Sequence, residues 1–400
     1  MMKPLRVLAL GLGALLVGVI AGAGPQSSAT ATVDTGRVAA TIVNQSAGIR
    51  PGELVLIQGG TRDQKLLEDL AIEVRKLGAH PLIAIGSDRL DRRLFVDVDE
   101  QFDSQEPMFF AQLTEFIDAL ITVDYGENVS NLADIPAKRR AEHAKASEKI
   151  AQKMLERGVV QVHLGNDLYP TKTLAMQFEV PYDKLAEIFW AGVNTDYDHL
   201  QVLGANIKDV LSKGRMLRIT APNGTDLTVE IARRSIFVSD GVVSSEDRYS
   251  AGPACQVWLP AGEVYFAPVP KTAKGTFVAE TFFYEGNRID GLTLKFSKGK
   301  LTSMTAKSDI TALRKAYDAA PSERDWFGAI DIGINPAVKA PPGSRLVSWI
   351  GAGTISVGIG SNTWAGGDNA VPYGLYGHLL NGTLTVDGKK VVDNGRLLQR

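Results

Sequence analysis

One carboxylate in the segment Leu259–Pro268 is the best placed for chemistry in this 400-residue chain. Glu263 follows Pro260-Ala261-Gly262 and precedes an apolar run, a pattern that predicts a position where a turn becomes a strand. A carboxylate at such a junction either caps backbone N–H groups, stays solvated or binds a metal. A hard divalent cation needs carboxylate oxygens on a rigid element, which a strand provides. From residue type and position alone, solvation or capping is the more common of these three roles, and the role of Glu263 stays open at this point.

Other catalytic patterns are missing from the sequence. It contains no G-x-S-x-G nucleophile motif, no H-E-x-x-H zinc motif and no Walker loop for phosphates. The single cysteine, Cys255, has no partner for an internal disulfide and is expected to pack as a small apolar residue. A net charge of −2 and the lack of a basic run exclude nucleic acid as a partner.

The first residues have the pattern of a signal peptide. Lys3 and Arg6 precede an apolar stretch, Val7–Ala21, and small residues suited to cleavage follow at Ala21–Ala23 and Ala29–Ala31. We therefore predict a signal peptide over residues 1–31 and a periplasmic or secreted protein with no membrane span after cleavage. An uncleaved N-terminal anchor is the alternative.

The elements that must position Glu263 fall into two regions. In the first, short apolar strands alternate with amphipathic helices, which predicts an α/β N-terminal domain over residues 36–207, a parallel sheet covered by helices. The predicted strands and helices include Glu53–Ile57, Asp63–Leu77, Pro81–Ile85, Ala119–Val123 and Pro136–Arg157. From Leu217 onward, period-two alternation and turns predict a β-rich, largely antiparallel α+β C-terminal domain over residues 215–400.

Several segments, in order and spacing, carry a resemblance to one known family. The chain resembles the metallo-aminopeptidases typified by aminopeptidases T and S in Arg50–Ile57, Tyr169–Thr171, Leu259–Pro268, Gly328–Pro336, Gly353–Gly360 and Gly366–Asn369. The resemblance implies a homodimer in which Glu263 holds a divalent metal (zinc, cobalt or manganese). The activity it implies is the removal of N-terminal residues from peptides.

The other metal ligands of that family do not match. Ala329 stands where the family has a glutamate, Ser356 where it has a histidine, and Val371–Gly377 where it has a His-Trp-Asp triplet. The substitutes that the chain offers near these positions are Asp331, Asp368 and His378. Each of these residues also has an interpretation without a metal. Asp331 is then a turn carboxylate, Asp368 forms an Asx-turn and His378 is a partly buried histidine.

Aromatic residues near the end of the chain are candidates for substrate binding. Trp364, Tyr373 and Tyr376 lie among glycines, and they either line an apolar pocket or cover a dimer contact. Two functions follow from these patterns. One is an exported, metal-dependent aminopeptidase. The other is a non-catalytic descendant, needing no metal, that binds a peptide, a small molecule or a protein partner in the same cleft.

Overall fold

The computed structural model describes residues 33–398, so the predicted signal peptide lies outside the described residues. Within that range, none of the helices combines the length and the apolar run that crossing a membrane requires. The helices are, in chain order, α1 (Thr35–Thr41), α2 (Gln64–Lys76), α3 (Asp88–Val96), α4 (Met108–Leu113), α5 (Ala137–Glu156), α6 (Lys172–Gln177), α7 (Tyr182–Val193), α8 (Tyr197–Lys213), α9 (Ser245–Ser250) and α10 (Thr311–Ala319).

The strands form three sheets. They are β1 (Leu54–Gly60), β2 (His80–Gly86), β3 (Ala119–Val123), β4 (Val160–Leu164), β5 (Met216–Thr220), β6 (Asp226–Glu230), β7 (Phe237–Ser239), β8 (Gln256–Leu259), β9 (Glu263–Phe266), β10 (Lys274–Tyr284), β11 (Asn287–Ser297), β12 (Lys300–Thr305), β13 (Phe327–Gly333), β14 (Ile355–Gly360), β15 (Gly374–Leu379), β16 (Thr383–Val386), β17 (Lys389–Asp393) and β18 (Arg396–Leu397).

The first sheet is parallel throughout, with the order β2-β1-β3-β4-β8. Successive side chains of a strand point to opposite faces, so Ile57 and Val162 pack into the main core while Leu56 and Leu120 face α5 in a smaller one. The alternation of strands and helices therefore predicted this sheet correctly. Its fifth strand, β8, comes from within residues 215–400, the range predicted for the second domain.

The two other sheets are antiparallel, as the period-two alternation predicted. One has eight strands in the order β12-β11-β10-β6-β5-β16-β17-β18, and the other has five in the order β15-β14-β13-β9-β7. The predicted fold class, a parallel α/β region followed by a largely antiparallel β-rich region, is confirmed. The five-stranded antiparallel sheet matters most for function, because it carries Glu263 on β9, Asp331 on β13 and His378 on β15.

Helix α5 is held against the parallel sheet by arginines near its first turn. The guanidinium of Arg139 donates to both carboxylate oxygens of Asp103, at 2.5 and 2.8 Å, and both side chains are largely buried. Arg140 forms an ion pair with Glu285 of the β10–β11 turn. Two-pronged arginine–carboxylate contacts fix geometry as well as adding energy, so α5 is tied both to the α3–α4 region and to the second half of the chain.

Candidate functional site

Glu263 begins β9 directly after a turn that only glycine fits. Gly262 has φ +123°, and a Cβ there would lie 2.6 Å from the Cβ of Asn335 and 2.8 Å from its backbone nitrogen. Asn335 also donates its side-chain amide to the Ala261 carbonyl, at 2.6 Å. The Pro-x-Gly-Glu pattern thus places Glu263 at the predicted turn-to-strand junction. The side chain is not solvated there, because Glu263 is 0% exposed.

Three polar residues lie in a line across the neighbouring strands of this sheet. Asp331 of β13 is directly opposite Ser356 of β14, and Ser356 is directly opposite His378 of β15. Directly opposite residues share a face, so all three point to the same side of the sheet, together with Tyr265 opposite Asp331. We call Asp331, Ser356 and His378 the polar row. Glu263 lies on the same face, two residues before Tyr265.

A hydrogen bond joins two members of the polar row. The hydroxyl oxygen of Ser356 is 2.8 Å from Nδ1 of His378, and the imidazole tautomer decides which atom is the donor. The sequence predicted His378 as a substitute ligand and Ser356 as a lost one, but not that they pair. The signal for their pairing was the strand register, which is not visible from either residue alone.

Aromatic side chains cover the face that carries the polar row. Trp349 contacts the ring of His378 at 4.9 Å between centroids and that of Tyr376 at 5.3 Å. Tyr265 stacks on Trp364 at 5.4 Å and meets Trp258 edge-on at 5.3 Å. These five aromatic residues are all buried, and we call them the aromatic layer: Trp258, Tyr265, Trp349, Trp364 and Tyr376.

The polar residues beneath this layer have almost no contact with solvent. Exposure is 0% for Ser356, 1% for Asp331 and 4% for His378. Burial, followed by the nearby carboxylates of Glu263 and Asp331, raises the pKa of the Tyr265 phenol well above its ordinary value. That phenol therefore stays neutral and donates its proton to the carbonyl of Pro253, at 3.0 Å.

The donor set on this face does not fit a two-metal hydrolytic centre. Such a centre holds its ions about 3.5–4 Å apart between several carboxylates. Asp331 and His378 lie two strand spacings apart, about 10 Å between backbones, with Ser356 between them. Across residues 33–398, no group of three or more His, Cys, Asp or Glu residues is arranged to hold a metal ion. No catalytic step through a metal can be derived from these residues.

The remaining predicted residues lie in two different places. Asp368, predicted as a ligand beside Glu263, is exposed in the connection between β14 and β15 and is not part of the polar row. Tyr376 is 0% exposed within the aromatic layer. Trp364 and Tyr373 line a cavity of about 570 Å³ between the parallel sheet and α5, which we call the α5 cavity. The sequence analysis did not single out its polar residues on the sheet, which are Gln58, Thr122, Gln161, His163 and Gln256.

Comparison with known proteins gives one family and two related folds. The family model described as thermophilic metalloprotease (M29) matches residues 33–321. Wild-type AmpT from Thermus thermophilus superposes with a TM-score of 0.70 at 16% identity, covering 91% of this chain and 98% of that one. The 2,5-dihydroxypyridine dioxygenase from Pseudomonas putida KT2440 gives a TM-score of 0.57 at 16% identity, covering 94% and 99%. No curated protein matches the chain. At this identity the two structures show a shared fold only.

Proposed function

Because this chain belongs to the thermophilic metalloprotease (M29) family, we propose that it is an exported member that binds a peptide or small molecule without hydrolysing it. Family membership supports a peptidase-type function and the general use of a divalent metal in the family. We propose binding instead of hydrolysis for one reason, which is that the face of the sheet that carries Glu263 is buried.

The burial of that face is the observation that carries the proposal. Metal-dependent hydrolysis requires an open coordination position for water and a path for the substrate. Here Glu263 and Asp331 are at most 1% exposed, and Trp349 and Tyr376, both 0% exposed, fill the space next to the polar row. A peptide cannot reach these carboxylates without displacing two fully buried aromatic side chains.

The fold is compatible with a change of chemistry. A protein whose structure is similar over 94% of this chain carries the name of a dioxygenase rather than a peptidase. One fold regularly hosts unrelated activities, because function depends on the residues of the site. The loss of the family's ligands at Ala329 and Ser356 is a change of that kind.

A metal-dependent aminopeptidase is the second candidate, and one observation favours it. Glu263, Asp331 and His378 lie on the same face of one sheet, so they are the residues that would hold zinc, cobalt or manganese if the aromatic layer opened. A homodimer remains part of both proposals. Light scattering that finds a monomer at micromolar concentration would count against it.

The test combines metal content with hydrolysis. The full chain, expressed with its own N-terminus in a secreting host, is dialysed, its metal content is measured, and leucine p-nitroanilide and a tetrapeptide are offered with zinc, cobalt or manganese. We expect much less than one ion per chain and no hydrolysis beyond that of the variant Glu263→Gln. A stoichiometric metal that Glu263→Gln releases, together with hydrolysis that the same variant loses, would overturn the proposal in favour of the aminopeptidase. Recovery of the intact chain in the cells would overturn export.

A further inference from the structure

The α5 cavity has a polar wall where a parallel sheet is normally apolar. Gln58, Thr122, His163 and Trp258 are directly opposite one another on β1, β3, β4 and β8, and all four line the cavity. Strands of a parallel sheet buried on both faces usually read as continuous apolar runs. The opposite face of the same strands follows that rule. The polar residues are therefore confined to the face of the sheet that lines the cavity.

Helix α5 forms the facing wall, and alanines recur along it. Ala141, Ala144 and Ala151 line the cavity at helical spacing, with Glu148 between them. Alanine side chains are too short to fill the space between the helix and the sheet, whereas leucines at these positions would fill it. The cavity volume of about 570 Å³ lies within the range of small-molecule sites, roughly 300–1,000 Å³.

Six buried polar atoms in the lining have no hydrogen-bond partner among residues 33–398. Two are the hydroxyl oxygens of Thr122 and Tyr373. The other four are Oε1 of Gln58, Nε2 of Gln161, Oε2 of Glu148 and Oδ1 of Asn166, whose residues are only 5–8% exposed. Leaving such atoms without a partner destabilises a fold, so a native protein normally satisfies them. The two amide oxygens accept, and Nε2 of Gln161 donates. A ligand that satisfies them must therefore carry donors for the two amide oxygens and an acceptor for Nε2 of Gln161.

The rest of the lining is apolar and flat. Leu56, Leu120, Ile150 and Met154 form one end of the cavity. His163 and Trp258 lie nearly parallel, with 6.2 Å between ring centroids and 19° between planes. These groups suit the body of a flat, apolar molecule, because aromatic and aliphatic surfaces gain free energy when they leave water together.

The lining offers no spare positive charge. Its one arginine, Arg140, forms an ion pair with Glu285. Carboxylates of the lining also have donors: Asp88 accepts from the backbone N–H groups of Glu127 and Asn128, and Asp91 accepts from the Tyr125 hydroxyl. An anionic ligand would exchange water for amide dipoles without a counter-ion, which is unfavourable. A cationic ligand would need Glu148 in its ionised form, which burial of this carboxyl disfavours. An uncharged ligand loses little in the same exchange.

We propose that the α5 cavity binds an uncharged small molecule that has a flat apolar body and an amide-type donor–acceptor edge. The proposal rests on the proposed function only in assuming that this chain acts by binding. The amide edge meets Gln58, Gln161 and Asn166, and the apolar body lies between α5 and the rings of His163 and Trp258. This site lies on the parallel sheet and does not include the polar row or Glu263, although it shares Trp258 and Trp364 with the aromatic layer.

The test uses three probes of one shape and different charge. Indole-3-acetamide is neutral with an amide edge, indole-3-acetate is its anionic analogue, and tryptamine is its cationic analogue. Binding to the full chain is measured by titration calorimetry. We expect indole-3-acetamide to bind with a dissociation constant below about 1 mM, and each charged analogue to bind at least about tenfold more weakly.

Substitutions of lining residues test whether the probe binds within the cavity. Gln58→Leu and Gln161→Leu remove the amide groups at nearly constant volume, and each should weaken indole-3-acetamide about tenfold. Ala144→Phe should fill the space and abolish binding, while Ala205→Phe, on the exposed face of α8, is the control and should not change it. Circular dichroism checks that each variant folds, and the two leucine variants carry the test if Ala144→Phe does not fold.

Three results would overturn the inference: no binding of indole-3-acetamide to the folded wild-type chain, equal or tighter binding of a charged analogue, or binding unaffected in the folded cavity variants. These results are independent of the hydrolysis test. If the probe does not bind, the proposal that the chain does not hydrolyse peptides is unaffected. If the chain does hydrolyse peptides with a metal, the proposal that the α5 cavity binds a ligand is unaffected.

Discussion

Ser356 and His378 face each other on adjacent antiparallel strands, with 2.8 Å between the hydroxyl oxygen and Nδ1. With Asp331 they have the residue types of a hydrolytic triad, but the order across the sheet differs. The serine lies between the aspartate and the histidine, whereas a triad needs the histidine in the middle to take the proton of the serine and be held by the aspartate. The Ser356–His378 pair therefore lacks the arrangement of a catalytic triad and forms a buried hydrogen bond between two strands.

Removing the serine hydroxyl should lower stability. Ser356→Ala leaves Nδ1 of the buried His378 without its partner, and we expect the free energy of unfolding to fall by about 1–3 kcal/mol. Urea unfolding followed by circular dichroism measures the change. Ser297→Ala, at an exposed position of β11, is the control and should change stability by less than about 0.5 kcal/mol. Equal effects of the two substitutions would show that the hydrogen bond does not contribute.

Placing a glutamate at residue 329, as the family resemblance implies for a metal site, should damage the fold instead of building such a site. Ala329 is 0% exposed, and next to it a Cβ on Gly328 would lie 2.2 Å from the Tyr376 hydroxyl oxygen. Ala329→Glu inserts both volume and a carboxylate into this packing, and we expect a loss of at least about 3 kcal/mol in unfolding free energy.

The matched control for that substitution is Ala319→Glu at the exposed end of α10, which should change stability by less than about 0.5 kcal/mol. Thermal unfolding of Ala329→Glu with and without added zinc distinguishes a destabilised fold from a rebuilt metal site. A stable Ala329→Glu variant whose melting temperature rises with zinc would show that the face still accommodates a metal.

Glu148 makes stability depend on pH. Burial raises the pKa of this carboxyl from 4.5 to about 7 in the folded protein. Between these two values the folded state holds a proton that the unfolded state has released, so the free energy of unfolding decreases as the pH rises through this window. The decrease amounts to something on the order of 3 kcal/mol once the pH exceeds the folded pKa.

Glu148→Gln removes this dependence. Relative to wild type, the variant should gain stability steadily from about pH 5 to about pH 8, as measured by urea unfolding at several pH values. Glu156→Gln, at the exposed end of the same helix, controls for the loss of one carboxylate and should run parallel to wild type. A Glu148→Gln curve parallel to wild type would show that the carboxyl is not buried.

The sequence predicted what depends on local pattern. Alternating strands and amphipathic helices identified the parallel sheet, and Pro-x-Gly-Glu located Glu263 at the start of a strand. Those signals lie within a few consecutive residues. Gly262 is an example: the turn before Glu263 needs a positive φ, which glycine adopts readily, so the residue type alone indicates the turn.

The rest depended on residues far apart in the chain. Ser356 meets His378 through a strand register between residues twenty-two positions apart in the chain, which no local pattern encodes. Trp349, which covers His378, lies outside the strands and has no periodic signal. The polar wall of the α5 cavity became visible only when four strands were aligned. Each strand contributes only one or two polar residues, and these alone look like ordinary exceptions within an apolar strand.

The position of β8 has a consequence for how the protein is made. The parallel sheet needs Gln256–Leu259 as its fifth strand beside β4, although its other strands all precede residue 165. During synthesis the sheet therefore remains incomplete while about ninety further residues are translated, which at about 5–20 residues per second takes several seconds. For that time β4 is an open edge, and unpaired edges recruit other strands. A nascent chain of this protein thus exposes an unpaired edge strand for longer than its first half alone would suggest.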